Sequence, residues 1–66
     1  MPYTLSLEFF DGPTVQHGYH LGTDLRVAKQ IAEERFNAVP DLRTVGLKVG
    51  HKLAAVYDGV EWVDYL

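Results

Sequence analysis

An Asp-Gly pair between two short runs of β-prone residues is the strongest local constraint on how this chain can fold. Asp58 and Gly59 both tolerate positive φ, which a two-residue type I′ turn requires at its two central positions. The pair therefore predicts a β-hairpin with a fixed register, and a fixed register sorts the side chains onto two faces of a sheet. The expected opposite pairs are Tyr57 with Val60, Ala55 with Trp62, and Leu53 with Asp64.

Composition limits the chain to one small domain spanning residues 1–66, without a linker. Hydrophobic residues make up 47% and charged residues 23% of the sequence, as in an ordinary globular protein. The uncharged apolar runs are much shorter than the ~20 residues of a membrane span, and no secretory leader is visible. We therefore expect a cytoplasmic protein. Cysteine is absent, which excludes disulfides and a cysteine-based zinc site.

Alternating apolar and polar residues predict strands at 3–10 and 14–21, and Asp11-Gly12-Pro13 between them marks a turn. A third strand is expected at 44–49, followed by a three-residue loop at 50–52 that places Val49 opposite Leu53. With the Asp-Gly hairpin at the end, the strands suit an antiparallel sheet.

The segment between the second and third strands predicts one helix. Thr23 is the expected N-cap and Asp24 lies in the first turn, while Asn37 is the expected left-handed C-cap before Pro40. The order is therefore ββαβββ, an α+β fold with one helix packed across one sheet face. The helix stripe expected to face the sheet is Leu25, Ala28, Ile31, Ala32 and Phe36.

The strand pattern also predicts which side chains face the helix. One face of a small sheet should be covered by the helix, and the back face should then be polar. The expected inner set is Tyr3, Leu5, Leu7, Phe9, Val15, Tyr19, Leu21, Val45, Leu47, Val49, Leu53, Ala55, Val60 and Trp62.

The back face of the last hairpin departs from this polar rule. Ala54, Val56, Val63 and Tyr65 share it with only two charged residues, and no second helix is available to cover it. An uncovered apolar stripe usually marks an interaction site, so these four residues are the candidate interface. The alternative is that they are ordinary exposed side chains, or that a one-residue register error exchanges the two faces.

The sequence offers little that could carry catalysis or bind a metal. His17 and His20 are three residues apart in a strand, so they point to opposite faces, and His51 lies in a loop. No phosphate loop, dinucleotide fingerprint or nucleophile elbow is present. We therefore expect no catalytic residue, no metal and no cofactor. The carboxylates fall mainly at turns, caps and solvent faces: Glu8, Asp11, Asp24, Glu33, Glu34, Asp41, Asp58, Glu61 and Asp64.

The charge balance argues against nucleic acid and anionic membranes as partners. The net charge is −3, and the six Lys and Arg residues form no cluster. Aromatic side chains could stack on bases, but in so small a fold they more often belong to the core. The residues concerned are Tyr3, Phe9, Phe10, Tyr19, Tyr57, Trp62 and Tyr65.

A marginal core favours self-association. Apolar burial of about 95–100 kcal/mol roughly balances an ordering cost of about 100 kcal/mol for a chain of this size. We therefore expect a homodimer acting as a protein-interaction or structural module, whose surface could bind another, unidentified protein. The final hairpin is expected at the dimer interface, with its last strand as a free edge. Exchange of a segment about Val39-Pro40-Asp41 is a variant of this idea. The alternative is a module that binds a small aromatic ligand or cofactor at a subunit interface, with Trp62, Tyr57 or Tyr65 as walls.

Overall fold

The computed structural model describes residues 2–12 and 14–65, with the backbone alone at residues 17–19. Within these residues it contains one helix and five strands, and it confirms the predicted order ββαβββ. The elements are β1 Tyr3–Phe9, β2 Val15–His20, α1 Leu25–Ala38, β3 Leu42–Val49, β4 Lys52–Tyr57 and β5 Trp62–Asp64. The strands form one antiparallel sheet in the spatial order β2-β1-β3-β4-β5, which confirms the α+β class.

Helix α1 packs across one face of the sheet, called here the inner face, mainly against the central strand β3. Leu5, Val45 and Leu47 are fully buried under the helix. Ala28 and Ala32 of the helix have no exposed surface, and their small side chains let the helix approach these strands closely. The chain has 4448 Å² of accessible surface, close to the roughly 4,200 Å² expected of a compact monomer of this mass.

Both helix ends differ by a few residues from the prediction. Asp24, not Thr23, is the N-cap, because its Oδ1 accepts the Arg26 N–H at 2.9 Å while its carbonyl accepts the Ala28 N–H. At the other end Asn37 stays helical, and Val39 closes the helix by donating its N–H to a carbonyl of the last turn. The left-handed residue in this connection is Asp41, with φ of 65°.

The turn between β3 and β4 is shorter than predicted. Val49 pairs with Lys52 across a two-residue turn at Gly50-His51, so Leu53 pairs with Lys48 and not with Val49. This shift by one residue moves Leu53 from the inner face to the opposite face. The register recovers at Leu47 and Ala55, which leaves Ala54 as the extra residue of a β-bulge.

The Asp-Gly segment forms a hairpin, but the predicted type I′ turn and register are wrong. Tyr57 pairs with Trp62, Val56 with Val63 and Ala55 with Asp64, so the loop has four residues. Gly59 has a positive φ of 95°, whereas Asp58 does not. Asp58 instead uses its side chain, since its Oδ1 accepts the N–H groups of Val60 and Glu61 at 2.9 Å.

Most of the predicted inner set lies as expected, with a few exceptions. Because the β4–β5 register is shifted by two residues, the residues paired between these strands keep their predicted faces. Leu53, at the other end of β4, is the exception already described and lies on the opposite face. Val60 falls in the loop and is 87% exposed, and Val15 near the start of β2 is also exposed. Tyr57 joins the inner face without having been predicted there, and Leu42 is buried as well. The predicted side-chain positions of His17 and Tyr19 lie outside the described residues.

Candidate interaction face

The sheet face opposite α1, called here the outer face, is not covered by any other described element. Backbone pairing aligns its side chains in rows that run across the strands. The central row joins all five strands, because each of its residues pairs with the next. We call it the middle row, and it consists of Gln16, Ser6, Gly46, Val56 and Val63.

An open groove of about 360 Å³ follows the outer face. Gly46 forms part of its floor, since a Cβ at this position would lie 3.2 Å from Leu53 Cδ1 and 3.7 Å from Ser6 Cβ. Polar side chains line the β1–β2 side, and Leu53 and Val56 line the β4 side. The groove therefore has one polar and one apolar wall, and its depth comes from the missing side chain of Gly46.

The apolar part of the outer face contains three of the four predicted interface residues. Val56 is half-buried and pairs with Val63, which is 44% exposed. Tyr65 is 58% exposed, and its N–H donates to the Ala54 carbonyl at 2.8 Å, which extends the β4–β5 ladder. Since Asp64 points towards the helix, alternation directs Tyr65 to the outer face.

Leu53, and not Ala54, supplies exposed apolar surface at this position. The bulge residue Ala54 is only 4% exposed, so it offers a partner little surface in the single chain, and its assignment to the interface stays a prediction. Leu53 is 37% exposed and lines the groove. A glycine at the first of two loop positions, as in Gly50-His51, is the sequence signal that could have identified the shorter turn and hence Leu53.

Within a single chain, the three aromatic residues named as walls of the alternative ligand site do not come together. Tyr57 and Trp62 stack on each other at the inner face, with ring centroids 5.2 Å apart, and Phe36 meets Tyr57 edge-on at 5.4 Å. Tyr65 lies on the other side of the sheet. The rings of Tyr57 and Trp62 therefore pack against the helix and against each other.

Lys29 of α1 contacts this aromatic cluster from the helix side. Lys29 Nζ lies 5.3 Å from the centre of the Trp62 ring and 3.0 Å from Asp64 Oδ1. The pair fastens β5 to the helix through a cation–π contact and a partly exposed ion pair. Trp62 Nε1 is buried without a hydrogen-bond partner among the described residues, which leaves an unsatisfied donor in the cluster.

The predicted absence of a metal site stays a prediction. His20 is exposed on β2 and His51 is exposed in the β3–β4 turn, while the side chain of His17 lies outside the described residues. Among the residues that the structure describes, His, Asp and Glu side chains form no group of three that could hold a metal ion. The predicted absence of catalytic residues is likewise not tested by this geometry.

The pKa of the Asp58 carboxylate is shifted from its ordinary value. The N–H groups of Glu61 and Val60 donate to it and hold its pKa below the ordinary value of 3.8. Asp58 is fully exposed at the tip of the hairpin. The depressed pKa is therefore explained by turn formation, and a catalytic role is not needed to account for it.

Comparison with known proteins adds no relative to this picture. The chain matches no protein-family model, no curated protein sequence and no solved structure. The described part of the chain contains no helix long and apolar enough to cross a membrane. Its function is therefore inferred from its own geometry.

Proposed function

We propose that this protein is an interaction module that works as a homodimer, with the outer face of its sheet as the contact surface. The observation that carries the proposal is the asymmetry between the two faces. Helix α1 covers the inner face, whereas Leu53, Val56, Val63 and Tyr65 remain in contact with solvent on the outer face. Contiguous exposed apolar side chains of this kind are typical of interaction surfaces.

The size of the outer face fits a second copy of the chain. The Cα trace extends 30 × 21 × 19 Å, so a sheet face approaches the ~800 Å² per partner of a standard protein interface. The chain also has much to gain from additional burial, because small cores are marginal. Two-fold pairing would bury the apolar side chains of both copies at once.

Contact through the outer face is favoured over pairing along the β5 edge of the sheet. Strand β5 is an edge strand of only three residues, Trp62–Asp64. An edge this short offers few backbone groups to a partner. We therefore assign the final hairpin to the interface through its outer side chains, with edge pairing as a minor contribution.

Replacement of Val63 by Asp tests this proposal. We expect wild-type protein at micromolar concentration to sediment as a species of twice the 7.4 kDa monomer mass, and Val63→Asp to sediment as a folded monomer. The variant should fold because Val63 is 44% exposed in the single chain, whereas in the dimer the new carboxylate would be buried without a partner at a cost of several kcal/mol.

Val27→Asp is the matched control for this experiment. Val27 lies on the solvent side of α1 with an exposure of 46%, almost the same as that of Val63. An Asp in the first turn of a helix is well tolerated, so this variant should remain dimeric. A wild-type protein that stays monomeric, or a Val63→Asp variant that stays dimeric, would overturn the proposal.

Native mass spectrometry of the untagged protein separates this proposal from binding of a small ligand. The homodimer predicts twice the chain mass with no additional mass. Co-purified small-molecule mass that disappears in Trp62→Phe would instead favour a ligand site near the aromatic cluster.

A further inference from the structure

We propose that the two copies of this chain pack outer face to outer face about a two-fold axis that runs along the middle row, across the strands. This inference rests on the proposed homodimer and specifies its geometry. In this arrangement each strand lies over its own copy in the opposite direction, so Glu8 of one protomer meets Lys48 of its partner, and Lys48 meets Glu8.

The middle row has the composition that a two-fold axis requires. A residue on such an axis faces its own copy, so a charged residue there would repel itself. The middle row runs across all five strands without a charged side chain. Ser6 and Gly46 at its centre are small, which lets two sheets approach closely, and Val56 and Val63 would pack on their own copies.

The charges on either side of the middle row have opposite sign. Glu8 is two residues beyond Ser6 on β1, and it pairs with Thr44. Lys48 is two residues beyond Gly46 on the antiparallel neighbour β3, and it pairs with Thr4. At ~3.3 Å per residue, the two charges lie roughly 7 Å to opposite sides of the row. Reversing the strand direction therefore brings Glu8 of one copy to the Lys48 side of the other.

Neither charge is fully neutralised within the single chain. Glu8 has a loose ion pair with Arg43, at 3.7 Å between Oε1 and Nε, and both side chains are about half or more exposed. Lys48 makes no ion pair among the described residues, although it is half-buried beside the groove. Both side chains are therefore available for pairing across the interface.

The charges also argue against the other simple face-to-face arrangement. A two-fold axis parallel to the strands would place the Glu8 ends together and the Lys48 ends together. That arrangement sets like charges against each other at both ends of the groove. Charge complementarity therefore selects the axis across the strands.

Charge reversal at the two positions tests the geometry. The dissociation constants of Glu8→Lys and Lys48→Glu homodimers, measured by sedimentation equilibrium, should each rise at least tenfold over wild type, because like charges then meet twice. An equimolar mixture of the two variants should form a one-to-one heterodimer, since both contacts become attractive again. The double variant Glu8→Lys/Lys48→Glu should recover the homodimer.

Three control variants separate the effect of the Glu8–Lys48 contact from the effects of a changed net charge and of a lost ion pair between Glu8 and Arg43. Glu34→Lys on α1 and Lys52→Glu, opposite Val49 at the other sheet face, make the same changes in net charge away from the groove. Arg43→Ala removes the internal pair of Glu8. All three should dimerise as wild type does.

The outcomes distinguish the failure of the geometry from the failure of the dimer. A monomeric wild-type protein overturns the dimer and this geometry with it. A wild-type dimer that Val63→Asp dissociates, but that both charge reversals leave unchanged, overturns the geometry alone. The same holds if the mixed variants fail to form a heterodimer or the double variant fails to recover.

Discussion

At the scale of single residues, Gly59 is required for two reasons, its backbone conformation and its close packing against Phe36. Its φ of 95° disfavours any L side chain, and a Cβ there would lie 2.8 Å from Phe36 Cζ. We expect Gly59→Ala to lower the free energy of unfolding by about 2–4 kcal/mol, from backbone strain and overpacking together. Urea denaturation followed by the fluorescence of Trp62 measures this loss.

The variant Gly22→Ala separates the cost of backbone strain from the cost of overpacking. Gly22 also has positive φ, at 83°, but a Cβ there would meet no atom within 4 Å. This variant should cost only about 1 kcal/mol, from backbone strain alone. Equal losses in the two variants would show that the ring of Phe36 moves aside without cost.

Trp62 is a second residue whose environment predicts a measurable response. Trp62→Ala should lose about 2–3 kcal/mol, because the side chain is half-buried and stacks on Tyr57. Trp62→Phe should stay within about 1 kcal/mol of wild type, since it preserves a ring for stacking and removes the unpartnered Nε1 donor. Thermal unfolding followed by circular dichroism compares both variants without the tryptophan signal. A Phe variant as unstable as the Ala variant would contradict this account.

At the scale of elements, the β4–β5 hairpin depends on the ionised carboxylate of Asp58. The pKa of Asp58 is lower in the folded chain than in the unfolded chain, where it lies near 3.8. The contribution of Asp58 to the free energy of unfolding is therefore fully present above the unfolded pKa and disappears as the pH falls through the folded pKa. Asp58→Asn should therefore melt below wild type at pH 6, and the difference should shrink as the pH falls below about 4. Melting curves between pH 6 and 3 test this, and a constant difference would contradict it.

At the scale of the whole molecule, the connection from α1 to β3 distinguishes face-to-face pairing from segment exchange. Asp41 is left-handed, and its carbonyl accepts the Phe10 N–H at 3.2 Å. Asp41→Ala should strain the closed form by about 1 kcal/mol. In a face-to-face dimer this leaves the dissociation constant unchanged, whereas exchange about Val39-Pro40-Asp41 would be promoted by strain in the hinge. Sedimentation equilibrium of the variant decides between them.

The sequence alone determined the order of the elements and most of the assignment of side chains to faces, because these depend on local alternation and helical spacing. Val56, Val63 and Tyr65 were placed on the outer face correctly for this reason. Even the wrong hairpin register preserved the faces, since it was shifted by two residues and strand side chains repeat with a period of two.

Only the tertiary structure decided the turns, the bulge and the groove. Hairpins are built with two-, three- and four-residue loops, so contacts elsewhere help to select among them: Gly59 packs under Phe36, and Asp58 accepts two backbone N–H groups. The β3–β4 turn is one residue shorter than expected, and this shift in register places Leu53 on the outer face. The bulge at Ala54 then restores the expected register from Ala55 onward. The groove over Gly46 and the uncharged middle row depend on pairing between strands distant in sequence, and no local pattern specifies that pairing.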